Sequence, residues 1–171
     1  MTMKKFKKFI IPIQNKFHDS LFPEMAQQLS LGGISPSSVI PGNTIRKLYL
    51  SHANIKDLPA GSPIFFYRSS PAQHITTVGI VESAKRLMDV ESLAAAIGKR
   101  SVYSHEEVKK MIEKEVLVIN FRLAYHRDAG IHFSELSRAR ILNGPPQTIM
   151  ELPHDRYLRL KALYRSPDHS I

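Results

Sequence analysis

The side chains best suited to chemistry lie between Gly42 and Glu82, where the chain reads GNTIRKLYLSHANI, then GSPIFFYRSS and ITTVGIVES. Asn43, Arg46 and Lys47 are read as opening a short helix, capped by Asn43 or Thr44, with Ile45, Leu48 and Tyr49 on its buried face. Free backbone N–H groups at such a start, together with two cations, favour a phosphate. Phe66-Tyr67-Arg68-Ser69 closes a strand, and Val78-Gly79-Ile80-Val81 lies on the next one after a Pro-containing turn. Tyr67 can stack on a base, with Phe66 on the other strand face as the alternative ring. Arg68 can take a phosphate or a base edge, and Ser69 an exocyclic group. Pro145, Pro146, Gln147 and Thr148 supply an opposite wall, with the Gln147 amide available for pairing. Plainer roles compete: Tyr67 beside Phe65 as core filling, the Arg46 segment as a capped surface helix, the prolines as a rigid turn. Together the set suits gripping a planar, phosphate-bearing ligand better than cutting one.

Catalytic chemistry has little to work with. The chain has no cysteine, which excludes disulfides, thiolate zinc sites and a cysteine nucleophile. Its eight histidines are scattered, without the His-x-x-x-His spacing of a helical metal site. His18-Asp19-Ser20 and Asp168-His169-Ser170 have triad residue types, but adjacent side chains on a loop cannot build the relay geometry of residues brought together from afar. No paired carboxylates stand out. The expectation is a non-catalytic protein with no metal and no cofactor.

These residues need a scaffold, and 171 residues suffice for one domain, expected over 1–171. Within it, 1–40 should form an N-terminal strand, short helices and a Gly/Ser/Pro loop, 41–165 the core, and 166–171 a loose tail. The hydrophobic content of 43% is ordinary for a globular chain, and no apolar run nears membrane-span length. The basic start MTMKKFKKFIIPIQ is read as a strand rather than a cleaved leader, and the protein as cytoplasmic with no membrane partner. Net charge is +9, unevenly placed: +6 over residues 1–56, zero over 57–115 and +3 over 116–171. Basic ends around a balanced middle fit an acidic partner, against the simpler reading of a solvated surface.

The expected elements follow from local signals. A strand spans Phe6 to Gln14, and two helical turns over Asn15 to Leu29 split at Pro23. Strands Pro63–Ser69 and His74–Ser83 make a hairpin after a turn at Leu58 to Gly61. Asp89 caps a helix ending at Gly98, and Ser104 with Glu107 forms a capping box for another. Glu115 to Arg127 alternates as a long strand. Ser134 opens a short helix, a last short strand follows the Gly144–Ile149 loop, and Asp155 caps a terminal helix. Strands without βαβ alternation predict an α+β fold, a small, partly open barrel of about five to six strands with peripheral short helices.

The order of these motifs resembles the PUA-like superfamily, and within it the EVE domain, the module also found C-terminal to acetyltransferase domains. The residues carrying it are Asn43 with Arg46, Ala60-Gly61, Phe66-Tyr67-Arg68-Ser69, Val78-Gly79-Ile80-Val81, Phe133-Ser134-Glu135-Leu136, Gly144 to Thr148, and Leu152 to Leu163. Arg68 stands where EVE proteins usually have His, and the chain has no Trp. The Gly-x-Lys-x-x-Glu-x-Arg motif of the sister ASCH branch is not found. The resemblance implies a nucleic-acid-binding domain, for DNA or RNA, that accepts a modified or flipped-out base in an aromatic, Arg-lined pocket. The alternative is a regulatory or protein-interaction module working with an acetyltransferase or toxin partner.

Overall fold

Two apolar runs that alternate between faces, FIIPI and PIFFYR, pair in parallel at the centre of the molecule: Phe9 opposite Ile64 through Ile13 opposite Arg68. The computed structural model describes residues 6–22, 46–97 and 103–165, with the backbone alone at 127–129. In chain order the elements are β1 (Phe9–Ile13), α1 (Asn15–Leu21), β2 (Arg46–Ser51), β3 (Pro63–Arg68), β4 (His74–Leu87), α2 (Val90–Ile97), α3 (His105–Met111), β5 (Val116–His132), α4 (Phe133–Arg138), β6 (Met150–Glu151) and α5 (His154–Tyr164). Among the described residues the strands form a six-stranded sheet in the order β2-β5-β4-β3-β1-β6, antiparallel except for the β1–β3 pair. It curls without closing, so the α+β, partly open barrel with short peripheral helices is the observed architecture.

The barrel's inner face is packed with Phe9, Ile11, Phe22, Ile64, Phe66, Ile119 and Phe121, all almost wholly buried. The opposite face of β1 and β3 buries Ile10 and Phe65 under α4 and α5, beside Leu136 and Leu160. A third cluster seats α2 and α3 on β2 and β5 through Leu50, Leu93, Val108, Val116 and Val118. The capping box at α3 is complete: Glu107 N–H donates to Ser104 Oγ, and Ser104 N–H donates to Glu107 Oε2. Asp89 Oδ1 likewise accepts from Ser92 N–H at the start of α2.

Several expectations need correction. Arg46 and Lys47 open strand β2, not a helix. Ile45, Leu48 and Tyr49 have helical spacing, but Leu48 and Leu50 also fit alternation, and a full antiparallel ladder with β5 decides for the strand. Both β4 and β5 run past their expected ends, because bulges absorb register changes and let the ladder continue. The terminal helix begins after Pro153 with no side-chain cap, and Asp155 sits inside its first turn. The second helical turn after Pro23, the 30–42 loop, the cap at Asn43 or Thr44, the stop at Gly98 and the tail from Ser166 lie outside the described residues.

Gly79 explains the Val-Gly-Ile strand. A Cβ there would lie 2.6 Å from Phe121 Cδ2 and 3.3 Å from Ile64 Cγ1, inside a packed core. Gly79→Ala is therefore expected to destabilise the fold by about 1–3 kcal/mol through overpacking. Equilibrium urea unfolding measures it, and an unchanged midpoint would contradict this packing.

Candidate ligand-binding cleft

The curled sheet nearly meets itself where β2 approaches β1. β6 covers β1 only at Phe9 and Ile10, and the second half of β1 has no ladder partner on that side among the described residues. There the Tyr49 hydroxyl donates to the Pro12 carbonyl at 3.1 Å, joining the two sides across the opening. On the outward edge of β2, Leu50 N–H donates to the Tyr103 hydroxyl at 3.1 Å, and His52 Nε2 lies 2.7 Å from the Met111 carbonyl. Arg86 holds the following loop by donating to the Ala53 and Ile55 carbonyls.

Around this seam opens a cleft of about 780 Å³. Its aromatic walls are Phe17, Tyr49, Tyr67 and Tyr103, and its polar groups include Gln14, Gln73, Gln147, Ser69 and Ser70. Pro145, Pro146 and Thr148 close one side, and the Gln147 amide donates to the Pro145 carbonyl. No Lys, Arg, Asp or Glu lines it among the described residues. Burial pushes the Tyr49 phenol up to about 12 and raises those of Tyr67 and Tyr103. All three therefore stay protonated and neutral near pH 7. The Tyr67 side chain is 1% exposed, and its hydroxyl has no hydrogen-bond partner among the described residues. Gln73 adopts φ 49°, a conformation that L residues rarely take, and its carbonyl accepts from Phe133 N–H at 2.8 Å.

Of the residues singled out in the sequence, Tyr67, Ser69, Pro145, Pro146, Gln147 and Thr148 converge on this cleft. Arg46, Lys47, Phe66 and Arg68 do not line it. Phe66 points into the barrel, with ring centroids 4.9 Å from Phe121 and 5.2 Å from Phe22. Lys47 is buried with its amine 5.7 Å from the Phe22 ring centre, and Arg46 stands in the outer sheet face near Glu82. Asn43 lies outside the described residues. Phe17, Tyr49 and Tyr103 were missed as site residues because they reach the cleft from three separate elements, and no local spacing links them.

Arg68 works on the rim. Its Nε donates to Asn15 Oδ1, and its guanidinium lies 3.0 Å from Asp19 Oδ1. Asn15 Nδ2 in turn donates to the Ser70 carbonyl at 2.8 Å, so α1 and the Ser69–Gln73 turn are tied together. From Asp19 a polar chain runs inward: Asp19 Oδ1 is 3.6 Å from His18 Nδ1, and His18 Nε2 is 2.8 Å from Thr76 Oγ1. Thr76 contacts Thr77, whose hydroxyl is 3.0 Å from His126 Nδ1.

No protein-family model matches the chain, and no curated protein matches its sequence. Solved structures do. A single-residue variant of an ASCH protein from Zymomonas mobilis superposes with TM-score 0.65 over 94% of this chain and 99% of that one, at 17% identity. A further ASCH structure from the same organism gives TM-score 0.61 over 92% and 95%, at 19% identity. The fold is the one these ASCH structures have, in line with the resemblance read from the sequence. A hypothetical protein from Leishmania major shares the fold less closely, with TM-score 0.55 over 95% of this chain and 96% of that one, at 10% identity. At such identities the likeness carries the architecture, and the cleft's residues are this chain's own.

His18 gives the fold a pH signature. Its burial, then the nearby Arg68, His126 and His74, lower its pKa from 6.5 to about 3. Between those values the unfolded chain binds a proton that the fold rejects. The contribution is complete above pH 6.5 and is lost as pH falls toward 3. Stability is expected to decline below pH 6.5 with a slope of up to about 1.4 kcal/mol per pH unit. His18→Gln should lower stability at pH 7 yet flatten that decline, leaving the smaller effect of His74, whose pKa burial also lowers. Thermal melts from pH 4 to 8 measure both, and an equal slope in the variant would reject His18 as the source.

Proposed function

We propose that the chain is a non-catalytic, nucleic-acid-binding PUA-like domain that takes one unpaired or flipped-out base, modified or not, into its neutral cleft. The observation that carries this reading is the buried Tyr67 hydroxyl, left without a partner among the described residues in a cleft walled by phenols and amides. Uncharged donors and rings suit a heterocycle, which presents a π-face and hydrogen-bonding edges. They suit a phosphate poorly, since no Lys or Arg among the described residues lines the walls. The excess of nine positive charges lies elsewhere on the chain, where it can hold the flanking phosphates.

This assignment divides stability from binding at one atom. Removing a buried hydroxyl that has no partner among the described residues relieves a desolvation penalty of about 1–3 kcal/mol. Tyr67→Phe is therefore expected to fold as well as the parent or better, while a hydrogen bond to the ligand is lost and affinity drops roughly 3- to 10-fold. Thermal melts give the first number. Titration with labelled DNA and RNA oligonucleotides, unmodified and base-modified, gives the second. Unchanged affinity across that panel would refute the cleft as the base site, and absence of any binding at low salt would favour a protein-partner role.

A further inference from the structure

The outer face of the barrel carries aromatic groups that the cleft does not use. A groove of about 460 Å³ lies between α5 and strands β3, β4 and β5, lined by Phe65, Ile80, Tyr125, Tyr157, Lys161 and Tyr164 among others. Its rings form a connected set. Phe65 is 6.3 Å from Tyr157 and 6.4 Å from Tyr164, and Tyr164 meets Tyr125 nearly edge-on at 6.0 Å. Tyr125 is 38% exposed, a large aromatic facing solvent on a sheet surface.

The strand register sets charge beside these rings. Pro63 pairs with Ile80, Ile80 with Arg122, and Arg122 with Arg46, so one row crosses β3, β4, β5 and β2. The neighbouring row is Phe65, Val78 and Tyr125. Arg122 is exposed, and Arg46 is 76% exposed with Nε 3.5 Å from Glu82 Oε1. An apolar, ring-lined groove thus has Lys161 at its helix side and two arginines along the row leading out of it. No Asp or Glu lines the groove among the described residues. A protein surface would satisfy the rings and a phosphate the cations. An unpaired nucleic-acid strand satisfies both, because its bases are free to stack while its backbone stays charged. Duplex bases are already stacked and cannot lie on the rings.

We propose that this groove and its arginine row are a second nucleic-acid surface, one that holds single-stranded nucleic acid by base stacking. It stands independently of what occupies the cleft. Tyr125 on β5 is the exposed ring of this sheet face, with Tyr157 and Tyr164 of α5 half-buried beside it, a surface on which bases can stack.

The test uses the full chain with labelled twelve-nucleotide dT and U strands and a twelve-base-pair duplex, across a salt series. The parent should prefer single strands. Tyr125→Ala should raise Kd roughly 5- to 100-fold, while Tyr125→Phe keeps the ring and the affinity. Arg122→Ala and Lys161→Ala, both at exposed positions, should each reduce the slope of log affinity on log salt by about 0.7. The Tyr125→Ala and Arg122→Ala losses should persist in a Tyr67→Phe background, because the two surfaces act separately. The proposal is overturned if the parent binds no single strand at low salt. It is also overturned if Tyr125→Ala and Arg122→Ala, shown folded by circular dichroism, keep the parent's Kd and slope, or if Tyr67→Phe alone removes binding.

Discussion

A hydrogen bond between the Tyr49 hydroxyl and the Pro12 carbonyl joins two strands that the sheet order places far apart. Strand β2 lies at one edge of the sheet, while β1 is separated from it by β5, β4 and β3. Pro12 has no N–H, so β1 cannot offer a full ladder to an approaching edge at that point. A side chain bridges the gap instead, and the space that backbone pairing would have closed stays open as the cleft. Burial that raises the Tyr49 pKa to about 12 keeps this phenol a donor at any physiological pH. Tyr103 plays the matching part on the far edge of β2, where it receives the Leu50 N–H.

The arrangement separates charge from shape. Several of the described cations serve as structural ties. Arg68 braces α1 against the turn at the cleft's mouth, Arg86 pins the loop after β2, and Lys8 lies 4.5 Å from the Tyr157 ring centre. What remains for the cleft is aromatic area and neutral hydrogen-bonding groups. A neutral enclosed site discriminates by outline and by unmet hydrogen bonds, whereas surface cations attract without regard to sequence.

Local signals carried much of the fold. The capping box at Ser104, the Asp89 cap and the β3–β4 hairpin each depend on residues within a few positions of one another, and they stand as read. Strand β2 was illegible because RKLYLS satisfies two periodicities, and its partner in β5 lies far along the chain. Burial of Lys47 could not be foreseen either, since it follows from the strand's alternation against Phe22. Half of the cleft was readable where the aromatic strand end and the Pro-Pro loop are contiguous segments. Phe17, Tyr49 and Tyr103 were not, because only the curl of the sheet brings them together. Arg68 looked like a ligand contact for a similar reason: Asn15 and Asp19, which engage it, precede it by about fifty residues.

The parallel β1–β3 pair gives the cleft an unequal mechanical foundation. Strands β4 and β5 share a long antiparallel ladder, whereas β1 contributes five paired residues and a two-residue contact with β6. The second half of β1, which β6 does not cover among the described residues, is where local opening reaches the cleft at least cost, since Phe9, Ile10 and Ile11 anchor the first half in the core. Its release would free Pro12 from Tyr49 and take away the part of the cleft wall that includes Gln14, while the β4–β5 ladder stayed intact. Amide hydrogen exchange would then run faster in the second half of β1 than in β4 and slow when the cleft is filled. The molecule's most protected region and its binding region would be different parts of one sheet.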